Sequence, residues 1–168
     1  MENQFKTYYT CSFDMEANTY EFETKNAILY RIAFILDESI FPPFSKVTEN
    51  NVYNLVVEKT TPGTEPLDSK VSKTITFIIK EFFNNKKNSL LYICDPGDDR
   101  AEKRFNLFNR WYNDSDYKDF VIKKDSIFRS ENETYYTGYL IHKENPDLSS
   151  LLNTYQDIKY TLSEKEDF

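Results

Sequence analysis

Residues 90–99 read LLYICDPGDD: Leu90, Leu91, Tyr92, Ile93 and Cys94 form an unbroken apolar run that ends at Asp95-Pro96-Gly97-Asp98-Asp99. A short apolar run closed by turn residues is the pattern of a buried strand. Asp98 or Asp99 then stands where a helix cap belongs, because a short carboxylate can accept from the first free amides. Helical spacing follows in Ala101, Phe105, Phe108 and Tyr112, with Trp111 at the edge of the stripe. It also precedes, in Val71, Ile75, Ile78, Ile79 and Phe82, a helix opened by Asp68 or Ser69 and reaching about Asn84.

Outward toward the N-terminus, Tyr9, Cys11 and Phe13 alternate with polar neighbours, as do Tyr20 and Phe22, and DMEAN lies between them. That reads as a hairpin. Ile28 to Leu36 is apolar on both alternations except at Arg31, which predicts a central strand covered on both sides. Pro42 and Pro43 exclude a strand from residues 39–50, and residues 54–58 form a fourth strand before the loop at 60–66. Toward the C-terminus, Phe120-Val121-Ile122 and Tyr135 to His142 are two more strands. Asn145 as cap and Pro146 at the first helical position open a last helix, which buries Leu148, Leu151, Leu152, Tyr155 and Ile158. The expectation is one α+β domain over residues 1–160, a mostly antiparallel sheet of about seven strands with three helices, and a flexible acidic tail over 161–168.

Length and composition agree with that plan. A chain of 168 residues suits a single domain of roughly 100–200 residues, large enough to fold without a staple. Aromatic side chains make up 17% of it, so the core is built largely from Phe and Tyr. Three glycines leave no glycine-rich phosphate loop. The two cysteines, Cys11 and Cys94, make no disulfide framework, and a single histidine, His142, leaves no zinc set. MENQFKTYYT lacks the basic and apolar regions of a secretory signal, and no run approaches the ~20 apolar residues of a membrane span. These features predict a cytoplasmic protein.

The net charge is −7, which disfavours nucleic acid and anionic membranes as direct partners and favours a basic protein surface. The imbalance sits early: residues 1–70 hold eleven Asp/Glu against six Lys/Arg. Asp14, Glu16, Glu21 and Glu23 are the candidate acidic partner surface, and Phe41 and Phe44 around Pro42-Pro43 are a second interface candidate. A candidate anion or interaction site lies at Asp95, Asp98, Asp99, Arg100 and Arg104. There a strand ends and a helix begins, and two arginines one turn apart can grip a carboxylate or phosphate. The alternative is that the aspartates are turn and cap residues paired with the arginines. A phosphate sensor using Lys70, Lys73, Arg100 and Arg104 is a further reading. His142 lacks an orienting carboxylate on its own face, and Cys94 lies within a buried strand, so both read as structural. No catalytic residue, metal site or cofactor is expected.

Leu91-Tyr92-Ile93-Cys94-Asp95, Arg100, Arg104-Phe105, Phe108, Arg110-Trp111-Tyr112 and His142-Lys143-Glu144-Asn145-Pro146 together resemble a small family of uncharacterised bacterial proteins over about residues 18–160. That resemblance implies kinship and no mechanism. In element order, residues 52–142 are also similar to GNAT-type acyltransferases. Those enzymes bind acetyl-CoA through an Arg/Gln-x-x-Gly-x-Gly/Ala turn. Here that place reads Glu58-Lys59-Thr60-Thr61-Pro62-Gly63-Thr64-Glu65-Pro66, with one glycine and two prolines, so the resemblance implies the fold without the cofactor turn. The function expected is a non-catalytic protein-binding domain. Its concrete version is an acidic inhibitor or regulator of a nucleic-acid enzyme, encoded by a phage or mobile element and of the anti-CRISPR kind. The alternative is a coenzyme-A-dependent N-acyltransferase with an atypical cofactor loop.

Overall fold

Hydrophobic alternation and helical spacing resolve, in a computed structural model describing residues 8–38, 51–63, 67–130 and 132–164, into seven strands and three helices. In chain order these are β1 (Ser12–Asp14), β2 (Thr19–Glu23), β3 (Leu29–Leu36), β4 (Val52–Lys59), α1 (Ser69–Phe82), β5 (Ser89–Cys94), α2 (Ala101–Asp114), β6 (Val121–Ser130), β7 (Glu133–His142) and α3 (Leu148–Glu164). The strands form one sheet in the order β1-β2-β3-β4-β5-β7-β6. Pairing is antiparallel at β1/β2, β2/β3, β5/β7 and β6/β7, and parallel at β4/β5. The protein is thus a single α+β domain with a mostly antiparallel sheet, as the sequence predicts. Its residues group into two compact units, 1–35 with 55–84 and 36–54 with 85–168.

In the first unit α1 is set by its cap and its stripe. Asp68 accepts from the Lys70 amide at 2.9 Å, and Val71, Thr74, Ile75, Ile78, Ile79 and Phe82 are buried. Phe34 of β3 stacks on Phe82 of α1 at 4.3 Å, and Phe22 of β2 stacks on its cross-strand partner Tyr30 of β3 at 5.2 Å. The expected first strand shrinks to three residues because Tyr9 is drawn to α1. Its amide donates to Thr74 Oγ1 at 2.8 Å and its hydroxyl to Asp68 at 2.6 Å. The expected double coverage of β3 is corrected too. Ile32 and Phe34 are buried against the α1 side, while Arg31 is exposed and Ile35 is 52% exposed. Among the described residues this unit has one helix, and on the β3 face that carries Arg31, Ala33 and Ile35 only Ala33 is buried.

In the second unit β5 is a central strand with a helix on each face. Val52, Leu91, Tyr139 and Ile141 pack with Leu151 and Tyr155 of α3. On the opposite face Tyr92 stacks on Phe108 of α2 at 4.5 Å, and Phe105 packs on Tyr136 at 5.2 Å. Each such buried side chain contributes roughly 1.5–3 kcal/mol. Gly138 lies directly opposite Tyr92. A Cβ there would stand 2.1 Å from Tyr92 Cζ, so the phenol ring occupies the space glycine leaves.

Several details differ from the sequence reading, β4 among them, which runs from Val52 to Lys59. The strand expected at 120–122 runs ten residues, paired with β7 from Val121↔His142 to Ser130↔Glu133. It is an end strand of the sheet, and so tolerates Lys123, Lys124, Asp125 and Arg129 without an apolar alternation. Trp111, placed at the edge of the α2 stripe, is instead buried with Ala101 and Phe105. The last helix begins at Leu148, while Asn145 keeps a capping role by accepting from the Asp147 amide at 2.8 Å. That helix also extends through Glu164, into the segment read as tail, and residues 165–168 lie outside the described residues. No helix among the described residues is long and apolar enough to cross a membrane.

Candidate functional site

The β1–β2 hairpin is a short finger whose tip is held by local hydrogen bonds. Asp14 accepts from the Glu16 and Ala17 amides at 2.9 and 3.1 Å, as an Asx turn does. Asn18 takes a left-handed conformation, φ 50°, that asparagine tolerates better than most residues. Its side-chain amide donates to Phe34 O at 3.0 Å and its carbonyl accepts from the Phe34 amide at 3.1 Å. These bonds tie the finger to β3. On this fixed turn Met15 is 83% exposed, and Phe13 of the adjoining β1 is 47% exposed.

Strand alternation sorts the acidic residues. Phe13 packs on Tyr20 at 4.5 Å, on the face that carries Phe22. Asp14, Glu21 and Glu23 therefore share the other face, the one α1 does not cover. Glu21 is opposite Arg31 and bonded to it at 2.9 Å. Glu16 and Glu23 are exposed and make no ion pair among the described residues. Four carboxylates proposed from sequence thus gather on one hairpin with three different jobs. Asp14 shapes the turn, Glu21 pairs with arginine, and Glu16 and Glu23 offer free charge. Phe41 and Phe44 lie outside the described residues.

The turn after β5 brings together every residue of the second candidate. Asp95 accepts from the Gly97 amide at 2.8 Å and opens a 3-10 turn at Pro96–Asp98. Asp98 accepts from the Arg100 amide at 3.2 Å and from Arg104 Nη1 at 2.9 Å, with Arg104 Nη2 on its second oxygen. The Arg104 bonds hold the Asp98 carboxyl below the usual range and push the guanidinium up. Asp99 sits at φ 57°. Neither Asp98 nor Asp99 caps α2 as expected; Arg100 occupies that position with no side-chain bond. Asp98 is instead held by arginine, and Asp99 by its left-handed backbone. Arg104 is thereby committed to Asp98, and a ligand anion would compete with an internal carboxylate already in bidentate contact. Pro96, Gly97, Asp99 and Glu102 border an open polar cleft of about 400 Å³ with Glu133 and Tyr136.

The other sequence candidates fall into structural roles. His142 is buried, its Nδ1 accepts from the Glu144 amide at 3.0 Å, and its ring packs on Phe120. Burial holds its pKa below the ordinary value, so it stays neutral. Burial pushes the Cys94 thiol up to about 11, which removes the nucleophilic thiolate at neutral pH. Lys70 lies over the Tyr9 ring at 4.5 Å in the first unit, whereas Arg100 and Arg104 belong to the second. In the loop before α1 the Thr60 amide is spent on Leu29 O at 2.9 Å. Thr61 Oγ1 accepts from the Leu29 amide at 3.0 Å, and Lys59 bonds Gly63 O. Among the described residues no group of three or more His, Cys, Asp or Glu could hold a metal ion.

One cluster escaped the sequence reading. Lys123, only 6% exposed, bonds Asn109 Oδ1 and Asp125 Oδ1 and lies 5.3 Å from the Phe105 ring and 6.0 Å from Tyr92 and Tyr112. The nearby Tyr92 hydroxyl is buried with no hydrogen-bond partner. The signal was present, because Lys123 and Asp125 are two apart in a strand and must share a face. Sequence alone does not show the strand reaching them, because the apolar pattern of β6 ends at Ile122.

Residues 67–157 match the model of a family of unknown function, DUF6169, and so more than half of the chain falls within it. The span takes in α1 to β7 and most of α3, and leaves out the hairpin. No curated protein matches the chain.

Proposed function

We propose that this chain, which belongs to the DUF6169 family, is a non-catalytic protein-binding domain that docks on a basic partner through its β1–β2 finger. The carrying observation is Met15 exposed on a turn fixed by Asp14 with Glu16 beside it, Phe13 exposed on one face of the hairpin, and Glu21 and Glu23 on the other. Exposed large apolar side chains on a pre-ordered turn lose little entropy on binding and can anchor an interface. Carboxylates at the tip and on the opposite face of the hairpin steer the encounter and select a positive surface. Nucleic-acid enzymes offer such surfaces at their substrate channels, which makes an inhibitor or regulator of one of them the concrete form of the proposal.

The test is a cross-linked pull-down from the native host, run in parallel with the wild-type chain and with a Met15→Ser/Glu16→Lys/Glu23→Lys variant. These positions leave the turn bonds and the Arg31 pair intact. A partner held by the wild type and lost by the variant supports the proposal, and an identical catch from both contradicts it.

A second reading, a coenzyme-A-dependent N-acyltransferase, is favoured by one observation. The order from β4 through α1, β5, α2 and β6 to β7, with β4 and β5 parallel, follows the run of strands and helices of GNAT-type enzymes. Against it stand the spent Thr60 amide and the Asp68 carboxylate at the first turn of α1, where a diphosphate would need donors and no negative charge. Calorimetric titration with acetyl-CoA separates the two: micromolar binding favours the enzyme, and silence at millimolar ligand removes it.

A further inference from the structure

Where α3 runs along the second unit's sheet, its buried face does not close completely. A pocket of about 220 Å³ remains, lined by Leu91 and Ile93 of β5, Phe128 of β6, Tyr135 and Thr137 of β7, and Tyr155 and Ile158 of α3. Ile93 is 44% exposed there, although its strand neighbours Tyr92 and Cys94 are buried. We infer that this pocket is a binding site for a small neutral apolar molecule, an aromatic ring or a short alkyl chain of roughly six to ten non-hydrogen atoms. The size follows by comparison with apolar cavities of ~150 Å³ that admit benzene.

The chemistry of the wall sets the ligand class. The polar atoms near it are already satisfied by one another. Tyr155 donates to Ser126 Oγ at 2.8 Å, and Thr137 Oγ1 lies 3.2 Å from the Tyr155 hydroxyl and 3.3 Å from Ser126 O. Tyr135 turns its hydroxyl to Glu133 at 2.6 Å, leaving its ring to the pocket. No charged side chain lines the pocket among the described residues. A ligand therefore needs no donor, acceptor or charge, and a charged one would lose its hydration for nothing in return. Water in such a space finds too few partners, so an apolar molecule displaces it at little cost. The site is independent of the finger and of any macromolecular partner.

The experiment titrates the intact chain, methyl-labelled at Ile and Leu, with benzene and with 1-hexanol, and with benzoate as the charged counterpart. Saturable shifts confined to Ile93, Ile158 and Leu91 with the neutral probes, and at least tenfold weaker binding of benzoate, are expected. Ile93→Trp, which fills the mouth from an already exposed position, should weaken benzene at least tenfold, and Ile158→Trp should do the same from the helix side. Absence of saturation up to the solubility limit, equal shifts at Ile32 and Ile78, benzoate binding as tightly as benzene, or tryptophan variants that bind as the wild type does would each overturn the site.

Discussion

His142 is the chain's one histidine, so its titration can be followed without ambiguity. Burial, aided by the Glu144 amide donating to Nδ1, favours the neutral ring, while the Glu144 charge works weakly the other way. Its native pKa therefore lies below the unfolded value of about 6.5. Below that pH the unfolded chain takes up a proton that the native ring refuses, so the contribution is full above about pH 6.5 and is lost as pH falls toward the native pKa. An imidazole proton titration should give a midpoint below 6.5, and a midpoint at or above it would contradict the buried neutral ring. Cys94, with its thiol at about 11, should resist iodoacetamide at pH 8 until the chain unfolds; mass spectrometry after timed quenching reads this. Gly138→Ala drives a methyl into the Tyr92 ring and should cost about 1–3 kcal/mol by chemical denaturation. The structural roles of His142 and Cys94 were legible from their neighbours in sequence. The need for glycine at 138 was not, because it depends on which residue of β5 pairs with it.

Elements were legible where one residue pattern decided them and illegible where a distant partner did. The α1 stripe with its Asp68 cap and the β5 run bounded by Asp95-Pro96 carry their own signals. β6 does not: its charged residues become a strand only through the ladder with β7. The sequence of β3 is apolar on both alternations and predicts double coverage, yet coverage depends on which elements pack against each face. At the Asp95–Arg104 turn, sequence named the participants and offered both readings, and in the structure Arg104 contacts Asp98 through both guanidinium nitrogens. Replacing the Asp68 cap by alanine should cost about 1 kcal/mol, read as a lowered denaturation midpoint at unchanged m-value. It also removes the acceptor of the Tyr9 hydroxyl, so proteolysis within residues 8–11 should quicken in the same variant. Unchanged cleavage there would contradict the role of the Tyr9–Asp68 bond in holding residues 8–11.

For the whole molecule the division of labour is unequal. The family match covers 67–157, whereas the exposed apolar tip and its free carboxylates lie at 13–23, outside the matched span. The surplus of acid is likewise early in the chain, which is the charge distribution that the proposed docking through the hairpin uses. Fold class and acidic bias were legible because composition and periodicity are local sums. The finger's exposed Met15 was not, since a methionine between two turn residues is silent until its burial is known. The direct test takes the protein recovered by the wild-type chain from its host and follows its association rate by surface interferometry between about 50 and 500 mM salt. For the wild type the rate should fall steeply with salt; for Glu16→Lys/Glu23→Lys it should start at least tenfold lower at 50 mM and fall less. Equal rates and equal salt slopes for the two proteins would contradict docking through the acidic finger.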